Sequence, residues 1–487
     1  MTPLEYLQHD ALGLAALVRS GAVSSRELME CAIRLARERG PMINAICHPE
    51  YDAALAWASD WQPRGAFQGI PFLLKDAGLP SKRLASSIGS KLFANMRFAL
   101  NGTLFERFEN AGLLPFARTT VPELCMAPTT EAVANGGPTR NPWDLARSTG
   151  GSSGGAAAAV AAGIVPLAHA TDGGGSIRIP ASCCGVYGLK SSRGLIPMGP
   201  LRGEGWGGLA ADGVVSRTVR DTAAVLDEVA GMEIGAPYAA PPRNGSYLEA
   251  IARGPERALR IGVWRQAFNG LPVAAEPMAG LERAAQLCRE RGHELVDVAT
   301  PDLDYDGFIK ALTEVMAANI KVASDARLAV LRRGLQPDDL EPAMLDGYAI
   351  GARLSAAEYV ASIQRFHAIG RVFANTLLPL DLMLSPALTT LPAPLGSLSM
   401  RGPSFAEFRR AVGRYTPFLA VINAAGLPAA CQPVDWTPHG VPVACQVIGP
   451  FGREDRVLQL SAQLEEAAPW AHRRPAIFEP ASSTAAA

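Results

Sequence analysis

The rhythm of apolar and polar positions changes several times along the chain, and each change predicts an element. Over the first 60 residues the spacing is helical. Ser24-Ser25-Arg26-Glu27 fits a capping box, with Ser24 as N-cap and Glu27 three positions on. Leu28, Cys31, Ile33 and Leu35 continue with partly helical spacing up to Gly40-Pro41, where the helix is expected to stop. From Gly69 the pattern becomes an unbroken apolar run, Ile70-Pro71-Phe72-Leu73-Leu74, of the buried-strand type. Helical and strand-like pieces then alternate: a helix over 105–112, a strand over 113–117, a helix over 156–162 closed by Gly163, and a strand over 164–168. Residues 140–148 do not read as a strand. Such alternation predicts an α/β architecture with a largely parallel, buried sheet.

Residues 236–260 carry Pro237, Pro241, Pro242, Asn244 and Gly245 and form the best linker candidate. Beyond them the pattern predicts a strand over 260–264, a helix over 274–291 and a helix-rich stretch over 306–376. Strands over 380–385 and 442–448 then return to a sheet. The tail 481–487 is low in complexity and is expected to be disordered. No internal repeat is present, and the length alone suggests about three domains.

Charge narrows the function classes. Lys and Arg number 45 against 46 Asp and Glu, and no basic run exists, which argues against a nucleic-acid partner. The start, MTPLEYLQHD, carries Glu5 and Asp10 where a signal peptide needs a basic start and an apolar core. The longest weakly polar run, 156–168, is too short for a membrane span, which needs roughly 18 or more apolar residues. Eight cysteines without a C-x-x-C pair, and seven scattered histidines without H-E-x-x-H, give no metal site. The adjacent Cys183-Cys184 reads as a pair of small buried residues rather than a redox couple. These features predict a cytoplasmic, metal-free protein.

Glycine is the compositional oddity. Gly 48 and Pro 38 together make about 18% of the chain, above the usual 12% or so. Two clusters concentrate it: Thr149-Gly150-Gly151-Ser152-Ser153-Gly154-Gly155 and Thr171-Asp172-Gly173-Gly174-Gly175-Ser176. No lysine follows either in the manner of a phosphate loop. G-x-S-x-G matches on both Ser152 and Ser153, but without a preceding strand the nucleophile elbow is unsupported, and the dinucleotide fingerprint fails for the same reason. In the second cluster, three glycines before Ser176 leave backbone N–H groups unobstructed, as an oxyanion requires. Asp172 and Arg178 are expected to pair and pin this loop, and Pro180 to keep the next segment out of a central strand. A serine hydroxyl needs a base. His169 is one candidate, and Lys75, at the end of an apolar run where an ammonium is costly, is the other. Lys75 could equally pair with Asp76; a neutral lysine can serve as general base. The S-x-x-K arrangement is absent.

The stretch GGSSGGAAAAVAAGIVPLAHATDGGGSIRIPAS, 150–182, resembles the signature of the amidase signature family of serine hydrolases. The resemblance extends to GIPFLLKD (69–76), TTVPELCMAPTTEAVANGGPTRNPWD (119–144), GVVSRTVRD (213–221) and NAAGLPAACQPVDWTPHGVPVACQVIGPFGRED (423–455), and so spans nearly the whole chain. It implies one domain over 1–480, made of a helical part (1–65), a signature core (66–235) and substrate-cleft helices with returning strands (260–480). The implied fold is a mixed sheet of about eleven strands covered by helices on both faces. The implied triad is Lys75 as base, Ser152 as bridging serine and Ser176 as nucleophile, with the amides of Gly173, Gly174, Gly175 and Ser176 as oxyanion hole. The implied activity is hydrolysis of small linear or cyclic amides through an acyl-enzyme, with no cofactor. Segment 452–470 and Arg473 to Pro475 resemble the bacterial 6-aminohexanoate-cyclic-dimer hydrolases within that family. Cys125 and Met126 are the expected substrate contacts, and a homodimer is a family-level expectation. The competing readings are a glutamine-hydrolysing amidotransferase subunit, an amidase/esterase of broad aryl-amide specificity, and a non-catalytic scaffold on the same fold.

Overall fold

Ile70–Lys75 is buried at every position, so this strand is covered on both faces and must sit inside a sheet. The computed structural model, which describes residues 1–402 and 404–478, places it in an eleven-stranded sheet. The strands are β1 (Ile46–Cys47), β2 (Ile70–Lys75), β3 (Leu113–Thr119), β4 (Arg140–Asn141), β5 (Asp144–Ser148), β6 (Leu167–Asp172) and β7 (Tyr187–Lys190). They continue with β8 (Ala211–Ser216), β9 (Arg260–Trp264), β10 (Glu294–Val298), β11 (Leu382–Pro386), β12 (Ala429–Trp436) and β13 (Pro442–Ile448). The order is β1-β3-β2-β6-β8-β7-β12-β13-β11-β9-β10, with β4 and β5 forming a separate ribbon. The mixed sheet matches the family expectation, but the largely parallel reading is corrected: of ten pairings, β2/β3, β2/β6, β9/β10 and β9/β11 are parallel and six are antiparallel.

Local chemistry explains most element ends. Ser24 and Glu27 close the expected capping box reciprocally. That helix, Ser25–Ile43, runs through Gly40-Pro41 and ends where Asn44 turns left-handed at φ 50°. The expected stop is corrected because proline's fixed φ suits a helix, and near the end it sacrifices only one backbone bond. The alanine run forms Gly154–Ala161, but the strand after it starts at Leu167 rather than 164, since Pro166 offers no N–H at its threshold. Residues 144–148, not expected as a strand, form β5 against Arg140-Asn141, outside the main sheet. Residues 236–260 are no free linker: Tyr247–Arg253 is a helix, capped by Ser246, packed on Val219–Val229 and Glu454–Ala467. The segment after Pro180 is not a strand; Pro180 lies in the first turn of the helix Arg178–Cys184. The tail 481–487 lies outside the described residues.

Two apolar clusters form the core. One runs along the sheet from β3 to β9 and takes in the N-terminal helices. The other gathers Trp264, Phe268, Phe308, Phe366 and Phe418 under the helices Tyr305–Leu331 and Ala356–Leu377. Leu124 and Met126 belong to the second cluster, so the loop after β3 reaches across to the helical part. Among the described residues no helix is long and apolar enough to cross a membrane.

Candidate active site

Lys75 is the last residue of β2 and is fully buried. Its Nζ donates to Ser152 Oγ at 2.7 Å, to Thr171 Oγ1 at 2.7 Å and to Thr171 O at 3.2 Å. Among the described residues no carboxylate pairs with it. Asp76 instead accepts from Ser86 Oγ at 2.5 Å and Ser87 Oγ at 2.8 Å, beside Arg118 and His48. That set decides the alternative of a Lys75–Asp76 pair against it. Burial pushes the Lys75 amine below its ordinary value, while the charges of Asp212 and Asp172 pull the other way. Burial thus shifts the balance toward the neutral amine, the form able to accept a proton. Arg118, also buried, donates to Lys75 O at 3.2 Å, Ala85 O at 2.6 Å and Leu79 O at 2.9 Å, which fixes the end of β2.

His169 is excluded as the base by its partners. Its Nδ1 accepts the Lys75 backbone N–H at 3.3 Å, so the proton sits on Nε2, which donates to Asp212 Oδ1 at 3.0 Å. Burial lowers its basicity further, and the ring packs edge-on against Phe108. It is a strut between β2 and β8.

Ser152 sits in the first glycine-rich loop, between the ribbon strand β5 and the helix Gly154–Ala161. The loop needs glycine because a Cβ on Gly155 would lie 2.5 Å from Thr120 Oγ1 and 2.6 Å from its backbone nitrogen. Such an approach brings Ser152 under Lys75. Ser176 follows β6 on the second loop and is 8% exposed. The Ser153 N–H donates to Ser176 O at 3.2 Å and joins the two loops. No hydrogen bond links the Ser152 and Ser176 hydroxyls; they share a cavity wall.

The expected Asp172–Arg178 pair is present, fully buried, with Nε to Oδ2 at 2.9 Å and Nη2 to Oδ1 at 3.0 Å. Burial alone would raise the Asp172 carboxyl, but Arg178 overrides it and holds it well below the carboxylate range. Asp172 also accepts backbone N–H groups from Gly175 at 2.6 Å and Ile177 at 3.2 Å, which curls the loop. Of the four expected oxyanion amides, Gly175 is thus engaged by Asp172. Those of Gly173, Gly174 and Ser176 have no intramolecular acceptor among the described residues. Gly175 has φ +123°, a conformation that L side chains rarely adopt.

A cavity of about 280 Å³ opens on these groups and is lined by Ser152, Ser176, Gly173 and the expected contacts Cys125 and Met126. Leu124 and Cys125 hold φ of 51° and 59°, and this consecutive left-handed pair turns the loop into the cavity. Burial pushes the Cys125 thiol up, so it faces the cavity uncharged. Sequence reasoning missed three parts of the wall. Thr171 holds Lys75 from the end of β6. Trp206 lies over Gly173 so closely that a Cβ there would sit 2.5 Å from its ring. Arg202 meets buried Asp212 at 3.4 Å. The signal available was a third glycine cluster, Gly199, Gly203, Gly205, Gly207 and Gly208, around these residues.

An eleven-stranded mixed sheet presenting a buried lysine and two glycine-rich serine loops defines a class of amide hydrolase. Residues 27–458 match the family described as Amidase, and the chain belongs to the amidase signature family, enzymes that hydrolyse amide carbon–nitrogen bonds. It is 34% identical over 493 residues to the 6-aminohexanoate-cyclic-dimer hydrolase of Paenarthrobacter ureafaciens, covering 99% of each chain. The solved structure of a 6-aminohexanoate cyclic dimer hydrolase complexed with substrate superposes with a TM-score of 0.92 at 32% identity, covering 97% of this chain and 100% of that one. A bacterial aryl acylamidase of the amidase signature family superposes with a TM-score of 0.84 at 27% identity, over 95% and 97% of the two chains.

Proposed function

We propose that this amide hydrolase works through Lys75, Ser152 and Ser176 and an acyl-enzyme on Ser176. The observation that carries the reading is the 2.7 Å contact of Lys75 Nζ with Ser152 Oγ at full burial, without a carboxylate partner among the described residues. The neutral amine takes the Ser152 proton as Ser152 takes that of Ser176. Ser176 Oγ bonds to the amide carbon, and the carbonyl π pair moves onto oxygen. The oxyanion is received by the amides that have no other acceptor, those of Gly173, Gly174 and Ser176. The C–N bond then breaks as the proton returns through Ser152 to the leaving nitrogen. Water, deprotonated along the same relay, releases the acid and frees Ser176.

The substrate class in this reading is small amides, linear or cyclic, without a strongly charged acyl part. A cavity of about 280 Å³ with Leu124, Met126, Trp206 and Ile320 on its wall supports it, being at the small end of ligand pockets. Cys125 and Met126 are read as substrate contacts, 1–480 as one functional unit, and the protein as a cytoplasmic homodimer. The test is a panel of aryl, linear aliphatic and cyclic amides, with glutamine, on the purified protein and Ser176→Ala. Turnover of neutral amides that Ser176→Ala abolishes is expected; activity confined to glutamine, or retained in Ser176→Ala, overturns the reading.

A further inference from the structure

A cavity of about 790 Å³ lies away from the catalytic loops, between the N-terminal helices and residues 465–478. Strand β6 measures the separation. Its last residue, Asp172, holds the oxyanion loop, whereas Arg217 on the cavity wall donates its N–H to Pro166 O, just before the strand begins, at 3.0 Å. Six residues of strand put roughly 17 Å between the two ends.

The wall is strongly cationic. Arg39, Arg217, Arg220 and Arg474 all line it. Among the described residues only Arg220 has a carboxylate partner, Asp10, with Nη2 to Oδ1 at 2.7 Å. The other three donate to backbone carbonyls alone among the described residues. Arg39 reaches Ala162 O; Arg217 reaches Ala471 O and, at 3.4 Å, Arg473 O; Arg474 reaches Leu7 O at 2.6 Å and Ala471 O at 2.5 Å. Ala162 and Leu7 are helix C-terminal carbonyls, which offset only about half a charge each. The remaining carboxylate on the wall among the described residues, Glu465, is pushed up by burial to about 8, which weakens it as a counter-ion near pH 7. Burial, and after it the neighbouring Arg39, push Arg474 down to about 10. Leu4, Leu7 and Phe478 give the cavity an apolar side, and Arg39 stacks on the Phe478 ring at 4.9 Å.

We propose that this cavity is a binding site for a small organic polyanion, one with two or more carboxylate or phosphate groups on a short carbon skeleton, separate from the catalytic centre. Guanidinium forks suit either headgroup, and the apolar side suits the skeleton. The site is independent of the catalytic reading, because none of its residues touches the 280 Å³ cavity.

The test is thermal melting and calorimetric titration of the full chain with citrate and with inorganic phosphate, against sodium chloride at equal ionic strength. A saturable rise of roughly 2–5 °C at about 100-fold excess over the dissociation constant is expected with citrate or phosphate. The more effective of the two identifies the headgroup. In Arg39→Gln/Arg474→Gln the half-saturating concentration should rise at least tenfold while amide hydrolysis is unchanged. Should that variant fail to fold, Arg39→Lys/Arg474→Lys keeps both charges without the forks and should weaken binding in the same direction. An equal rise with sodium chloride, or an equal response in either double variant, overturns the proposal.

Discussion

Asn423 donates from Nδ2 to both Asp172 O at 3.0 Å and Asp172 Oδ1 at 2.9 Å, across 251 residues of chain. The same amide reaches Leu209 O at 3.1 Å, and its Oδ1 accepts from Arg178. One side chain from the C-terminal half thus locks the loop that carries Ser176 to the segment that carries Trp206. Asn423→Ala removes that lock. It is expected to lower kcat by about 10- to 100-fold with a smaller change in KM, since misplacement of about 1 Å costs that much. Steady-state kinetics check it; an unchanged kcat contradicts it.

Arg178 neutralises a carboxylate that has no route to water. In Arg178→Met the buried Asp172 loses its guanidinium partner and keeps only neutral donors, and loss of one partner of a buried pair costs about 3–5 kcal/mol. Thermal melting at pH 7 should show the loss. Because the folded carboxyl is held well below its unfolded value, the pair's contribution is complete above the unfolded value of about 4 and fades as pH falls toward the folded one. Without Arg178, burial raises the carboxyl instead, so the variant takes up a proton as pH falls and the gap should begin to narrow above pH 4 and go on narrowing below it. A gap that widens as pH falls from 7 contradicts this.

The rate should rise with pH as Lys75 loses its proton, along an acid limb whose midpoint lies below the ordinary lysine value of 10.5. Asp212 raises the basicity of Lys75 and Arg202 lowers it. Asp212→Asn should accordingly move the midpoint of kcat/KM to lower pH, and Arg202→Gln to higher pH. Shifts in the opposite directions, or a midpoint at 10.5 in the wild type, contradict a neutral lysine base.

Trp206 sets the cavity's size over Gly173. Trp206→Ala should enlarge it, raising KM for small amides several-fold while admitting bulkier aryl amides that the wild type turns over poorly. Gly173→Ala, whose Cβ would meet the indole at 2.5 Å, should displace the same ring and broaden specificity in the same direction at lower kcat. Measured selectivity ratios that stay constant in both variants contradict the assignment.

Much of this site could be read before any coordinates. Lys75 betrayed itself because an ammonium ended a run of residues that only a buried strand explains, and the 24-residue spacing from Ser152 to Ser176 carried the family resemblance. What stayed hidden was the pairing of residues far apart in the chain. Thr171 meets Lys75 across 96 positions, and nothing local marks a threonine for that task. Strand β5 was invisible because Asp144-Leu145-Ala146-Arg147-Ser148 lacks β-branched residues and pairs only with a two-residue partner. Strand direction was misjudged for a related reason. Alternating helices and strands suggest parallel crossovers, yet β7, β8, β12 and β13 are paired antiparallel, with partners that periodicity does not reveal.

The central claim is that Ser176 carries the acyl group, and peptide mass spectrometry after reaction with a fluorophosphonate tests it most directly. The account predicts one adduct, on the peptide containing Ser176, absent from Ser176→Ala and formed far more slowly in Lys75→Ala. An adduct on Ser152 or Ser153, or amide turnover by Ser176→Ala at the wild-type rate, would contradict it.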